Sequence, residues 1–94
     1  MRVYKYKLEL IVPACIAKVE MPIKRKPISV GEQDGEMVVW AEVDENDEYS
    51  MDAVFVIIPT GFSEVPDGDL EFLGTLQMPQ QGAAWHIYWH KDFE

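Results

Sequence analysis

Residues 28–43 read ISVGEQDGEMVVWAEV, and this stretch decides the fold class. Two apolar arms flank a polar centre that ends in Asp34-Gly35, a dipeptide that tolerates the positive φ angles of a tight hairpin turn. The second arm is apolar at every position from Met37 to Ala41, which is typical of a strand buried on both faces. We therefore predict a β-hairpin with residues 31–35 as its loop and a central second strand.

Further strands are predicted on either side of this hairpin. Residues 4–10 alternate between apolar and charged side chains, the period-2 pattern of a strand with one wet face, and residues 53–58 are mostly β-branched. No segment keeps a 3.6-residue period over three turns, so any helix is expected to be short. The predicted strands lie at residues 4–10, 16–21, 28–30, 37–43, 53–58, 70–78 and 84–88 or a little beyond.

Six or seven short strands at about ten-residue spacing indicate an all-β fold, either a sandwich or a partly open barrel. A chain of 94 residues buries roughly 60–65% of the surface that its unfolded form exposes, which suffices for one core. We therefore predict a single antiparallel β domain over residues 1–94.

The composition favours a reducing, cytoplasmic environment. One cysteine cannot form an internal disulfide, and the chain has no run of about 18 apolar residues that would span a membrane. The first residues also lack the basic-then-apolar order of a signal peptide. We therefore expect a protein of the cytoplasm with no membrane partner.

The net charge of −9 is distributed unevenly. Residues 1–26 have a balance of +5, whereas residues 27–94 have a balance of −14. Two interpretations of this distribution remain open. In the first, the basic first strands neutralise acidic later strands across a sheet. In the second, the acidic residues form a face that attracts a basic partner. Lys24-Arg25-Lys26 is the only basic run, so direct nucleic-acid binding is not expected.

Residues with catalytic or metal-binding chemistry form no recognisable site. On a strand, His86 and His90 would lie about 13 Å apart, too far to share one metal ion. Residues 44–55 resemble a calcium loop at first, but Tyr49 and Phe55 stand where such a loop needs Gly and Glu. No nucleophile elbow and no phosphate-binding glycine loop occurs. We predict no metal, no cofactor and no enzymatic activity.

Exposed aromatic and acidic side chains are the candidate binding residues, because interfaces use aromatic anchors beside charge. In the last strand, Trp85, Ile87 and Trp89 would point one way, with the residues between them pointing the other way. That strand would also serve as an edge, open to a second copy or a partner. The candidate binding residues are Asp44, Glu45, Asp47, Glu48, Phe62, Trp85, His86, Tyr88, Trp89 and His90.

Several short motifs occur together in an order that resembles a group of short phage and prophage proteins with a domain of unknown function. The motifs are VYKY at 3–6, EMP at 20–22, VWAEVD at 39–44, TG at 60–61, FLGTLQ at 72–77 and WHI at 85–87. The chain departs from that group at residues 62–64, where relatives have a His-Pro-like turn, and at residues 88–90. The resemblance implies a phage or prophage origin and a compact β fold, and it implies no activity, cofactor or catalytic residue.

Taken together, these features predict a non-enzymatic phage or prophage accessory protein that binds a host macromolecule in the bacterial cytoplasm, with a host protein as the expected partner. Its acidic face would inhibit a defence or regulatory protein of the host. Two alternatives remain open. One is a small-ligand binder with a pocket formed by Trp40, Trp85, His86 and the loop at residues 60–69, and the other is a minor structural phage protein.

Overall fold

The structure is a computed structural model that describes residues 1–11, 15–61, 64–78 and 83–91. Seven strands account for most of them, and no α-helix occurs in these ranges. The strands are β1 (Arg2–Lys7), β2 (Ile16–Pro22), β3 (Arg25–Gln33), β4 (Glu36–Val43), β5 (Ser50–Pro59), β6 (Leu70–Met78) and β7 (Ala83–His90). In the described residues, no helix is long and apolar enough to cross a membrane.

The strands form two antiparallel sheets, which confirms the predicted all-β class. A three-stranded sheet has the order β1-β4-β3, and a four-stranded sheet has the order β2-β5-β7-β6. Strand pairing does not continue from one sheet to the other among the described residues, so the sheets do not close into a barrel. The strands β4 and β5 are central in their sheets, as their apolar runs predict.

The hairpin between β3 and β4 is tighter than predicted. Only Asp34 and Gly35 form the turn, with φ angles of 55° and 81°, while residues 31–33 belong to β3. Positive φ at both central positions gives the strands the twist that a two-residue hairpin needs. Nearer the start of β3, the pairing register with β4 shifts between Pro27 and Ser29, and such a bulge accommodates a proline in an edge strand.

The core fills the space between the two sheets. Its largest fully buried side chains include Phe55, Ile57 and Ile87 from the four-stranded sheet and Val39 and Val43 from the three-stranded sheet. These residues alternate along their strands with residues on the other face, as period-2 side-chain geometry requires. The sheets approach most closely beside β3 and β6, where a Cβ built on Gly74 would lie 2.9 Å from Cγ2 of Val30.

The last strand is central, so the expectation that it forms an edge is wrong. β7 pairs with β5 on one side and with β6 on the other, antiparallel to both. Consequently β5 and β6 run parallel to each other, and the connection between them crosses from one end of β7 to the other. The edges of the four-stranded sheet are β2 and β6.

Arg25 joins the two sheets where the chain passes from β2 into β3. Its guanidinium donates hydrogen bonds to the backbone carbonyls of Met21, Met51 and Asp52 at 3.3, 2.6 and 3.1 Å. Arg25 itself belongs to the three-stranded sheet, whereas its acceptors belong to the four-stranded sheet. The arginine therefore fixes the angle at which the chain leaves one sheet for the other.

Candidate functional site

The acidic loop between β4 and β5 is tied to its surroundings by its own carboxylates. Asp47 accepts the backbone N–H of Lys24 at 2.9 Å and that of Tyr49 at 3.4 Å. The hydrogen bond from Lys24 is the main reason that the pKa of Asp47 is lowered. Asp44 accepts the N–H of Asn46 at 3.0 Å, which forms a local turn within the loop. These two carboxylates therefore shape the loop.

Glu45 connects the same loop to β1. It accepts a hydrogen bond from the hydroxyl of Tyr4 at 2.7 Å and pairs with Arg2 at 2.9 Å. The contact with Glu45 raises the pKa of Tyr4, because it favours the neutral phenol. In contrast, Glu48 is exposed and makes no ion pair or hydrogen bond within the described chain. Three of the four predicted acidic binding residues thus have intramolecular partners.

The predicted residues of β7 lie on opposite faces of the sheet, as their alternation predicts. Trp89 is 4% exposed and belongs to the core, and Trp85 packs against that core. Lys91 places its Nζ 5.9 Å from the ring centroid of Trp89. His86, Tyr88 and His90 lie on the outer face of the four-stranded sheet, the face that points away from the three-stranded sheet. Phe62 lies outside the described residues.

His86 links three strands through two threonine hydroxyls. Its Nε2 lies 2.6 Å from Oγ1 of Thr60, at the end of β5, and its Nδ1 lies 2.9 Å from Oγ1 of Thr75 in β6. Both ring nitrogens therefore have hydroxyl partners, one donating and one accepting according to the tautomer. Within the ranges given above, no three His, Cys, Asp or Glu side chains cluster as a metal site would require.

An apolar row crosses the outer face of the four-stranded sheet. Ile16, Val56, Tyr88 and Phe72 occupy matching positions on β2, β5, β7 and β6. The rings of Tyr88 and Phe72 lie 5.4 Å apart between centroids and are tilted by 59°, a favourable aromatic geometry. Phe72 is nevertheless 55% exposed. We call these four residues the outer row.

A hollow of about 440 Å³ lies on the same face, beside β2. Its floor is mostly apolar, whereas one lysine, one aspartate and one histidine stand at its rim. The lining residues are Ile16, Lys18, Met51, Asp52, Val54 and His90. The outer row and this hollow share Ile16, so together they form one candidate binding surface, in which Phe72 is exposed whereas Val54 and Val56 are buried.

A comparison with protein families matches residues 1–94 to a domain of unknown function, DUF7352. The chain belongs to this family. No curated protein matches this DUF7352 chain, and no solved structure matches it either. The family therefore agrees with the expected domain of unknown function and assigns no activity.

The candidate surface of this DUF7352 domain differs from the set predicted from the sequence. The nine predicted residues that the structure describes do not form one site, because the acidic loop, the inward tryptophans and the outer residues of β7 occupy separate places. Nor do Trp40 and Trp85 share a pocket, since Trp40 lies on the three-stranded sheet against Gly31. One feature of the sequence could have predicted the apolar outer face, namely the unbroken apolar run of β5. It places Val54 and Val56 on the outer face and Phe55 in the core.

Proposed function

We propose that this domain is a non-catalytic binding module that contacts another protein through the outer row. The observation that supports this proposal is the exposure of Phe72, whose aromatic ring packs at a tilt against Tyr88 at the end of an apolar row crossing four strands. Exposed aromatic side chains on a rigid sheet are typical anchors of protein interfaces. A binding role of this kind needs no catalytic group.

The charge of the domain defines the chemistry of the partner. The net charge is −9, and Asp52 and Glu20 lie on the outer face beside the hollow. A complementary partner therefore carries apolar side chains surrounded by lysine or arginine, because complementary charge speeds association and disfavours wrong partners. The resemblance to short phage and prophage proteins supports a bacterial host protein as this partner. Phage origin and inhibition of a host protein stay predictions.

The test compares Phe72→Ala with Val3→Ala, because each wild-type residue is 55% exposed and Val3 lies on the other sheet. A tagged domain is used to capture proteins from a bacterial lysate, and the captured protein is then purified and titrated calorimetrically. We expect stoichiometric binding by the wild type and by Val3→Ala, and binding at least about tenfold weaker by Phe72→Ala. Equal affinity of the two variants would exclude the outer row as the interface.

The hollow also supports a second candidate function, the binding of a small apolar molecule. Its volume of about 440 Å³ lies within the range of ligand sites. A cationic wall for an anionic ligand is not supported, because Asp52 stands at the rim together with Lys18, and Arg25 is not among the lining residues. Native mass spectrometry of the purified protein distinguishes this candidate, because a bound molecule adds its mass to that of the wild type. Val54→Phe would fill the hollow, so the variant is expected to show the mass of the chain alone.

A further inference from the structure

The strand β2 is an edge with unpaired backbone groups. The carbonyl of Cys15 accepts the N–H of Ile57 in β5, whereas the carbonyl of Ile16 accepts the N–H of Ile11 on the opposite side. Because these directions alternate along a strand, the backbone groups of Lys18 and Glu20 point away from β5. No other part of the described chain pairs with them.

The side chains at these two positions are charged and exposed. Glu20 stands directly opposite Asp52 in the pairing of β2 with β5, and like charges at such positions are destabilising. Lys18 stands opposite Val54. Within the described residues, neither Lys18 nor Glu20 forms an ion pair. The edge therefore offers one cation and one anion, two residues apart.

We propose that two copies of this chain pair antiparallel along β2, with the two-fold axis at Val19. In this register Lys18 of each copy stands opposite Glu20 of the other copy. Both residues direct their backbone groups outward, so the two pairs form four backbone hydrogen bonds. Each Glu20 then lies between Asp52 of its own chain and Lys18 of the second copy, which offsets the repulsion.

The sequence of β2 disfavours the other registers. A two-fold axis at Lys18 or at Glu20 would place like charges opposite each other. A shift by one residue would set Lys18 opposite the inward-facing Val19 and would misalign the hydrogen-bonding groups. In the proposed register, Pro22 of one copy stands opposite Ile16 of the other copy, and the hydrogen-bonded pairing ends there. Pro22 has no N–H to donate, and the carbonyl of Ile16 already accepts a hydrogen bond from Ile11 of its own chain.

This dimer joins two four-stranded sheets into one continuous sheet of eight strands. The outer faces of both copies then lie on the same side of this sheet. In each copy, the outer row begins at Ile16 on β2, next to the dimer interface. The edge is also covered, which removes a site of unspecific strand pairing.

The test measures the self-association of charge variants by sedimentation equilibrium. Lys18→Glu places two glutamates opposite each other twice in the dimer, and we expect the dissociation constant to rise at least about tenfold relative to the wild type. Glu20→Lys has the same effect through paired lysines. The double variant, Lys18→Glu with Glu20→Lys, restores opposite charges and is expected to restore the dimer.

Two further variants keep the test decisive. Lys5→Glu makes the same charge change on the other sheet, where the ammonium group of Lys5 donates to Gln33 at 2.7 Å, and it is expected to leave the dimer intact. Lys18→Pro removes an N–H that does not face β5, so the fold is kept while two of the four intermolecular hydrogen bonds are lost. A wild type that stays monomeric at about 0.5 mM, which is roughly five hundredfold above a dissociation constant of about 1 μM, would overturn the proposal. A double variant that stays dissociated would overturn it as well.

Discussion

At the scale of single residues, the carboxylates of the acidic loop hold the chain in shape. Asp47 accepts two backbone N–H groups, and Glu45 accepts the Tyr4 hydroxyl and pairs with Arg2. The sequence shows the acidic residues but not these partners, because hydrogen bonds between residues far apart in the chain depend on tertiary structure. An acidic stretch on a β protein is thus not by itself an interface.

Asp47 allows a prediction of pH dependence. Its pKa in the folded protein is lowered from 3.8, so its stabilising effect is present above that value and is lost as the pH falls through the lowered folded pKa. We expect Asp47→Ala to lower the urea midpoint at pH 7 and the difference from wild type to shrink towards pH 3. Glu48→Ala, at an exposed position without a described contact, serves as the control. A difference that persists unchanged at pH 3 would contradict the role of the charged carboxylate.

At the scale of strands, the close approach of β3 and β6 limits which residues fit between the sheets. Gly74 has space for no side chain, because a Cβ there would lie 2.9 Å from Val30. We expect Gly74→Ala to destabilise the fold by about 1–3 kcal/mol through overpacking.

A double-mutant cycle in chemical denaturation checks this cause. Val30→Ala removes the clashing methyl group, so the two substitutions together should cost at least about 0.5 kcal/mol less than the sum of the single effects. Gly61→Ala is the control, since Gly61 has a φ of 73° and no neighbour within 4 Å. Its cost arises from backbone strain, and Val30→Ala should not relieve it. Additivity in both cycles would show that steric contact is not the cause.

Most strands were predictable because their signals are local. The Asp34-Gly35 turn, the apolar run of β5 and the alternation of β7 each follow from a few neighbouring residues. The position of β7 between β5 and β6 was not predictable, since the order of strands depends on contacts between distant parts of the chain. The same limit applies to the outer row, whose four residues come from four strands.

For the molecule as a whole, basic residues near the N-terminus form ion pairs with acidic residues later in the chain. Basic residues of β1 meet acidic partners, as in the pairs of Arg2 with Glu45 and of Lys7 with Glu36 at 2.9 and 3.1 Å. This arrangement agrees with neutralisation of the basic first strands across the fold. Both pairs are solvent-exposed, however, and pairs of this kind contribute little to stability.

The remaining negative charge leads to a prediction about salt. Because self-repulsion at a net charge of −9 outweighs weak exposed ion pairs, screening should stabilise the domain. We expect the melting temperature at low micromolar protein concentration to rise by about 1–3 °C between about 10 and 150 mM NaCl. Differential scanning calorimetry measures this change. A lower melting temperature at the higher salt concentration would mean that the ion pairs dominate.

The central place of β7 has a consequence for how the molecule can be divided. Without that strand, β5 and β6 would stand parallel, separated by an empty slot whose two sides both present unpaired backbone groups. The slot fits one antiparallel strand with apolar side chains at alternate positions, which is the pattern of Trp85, Ile87 and Trp89. If the chain were divided between β6 and β7, a separate β7 peptide would therefore be expected to bind between β5 and β6 and restore the fold by complementation.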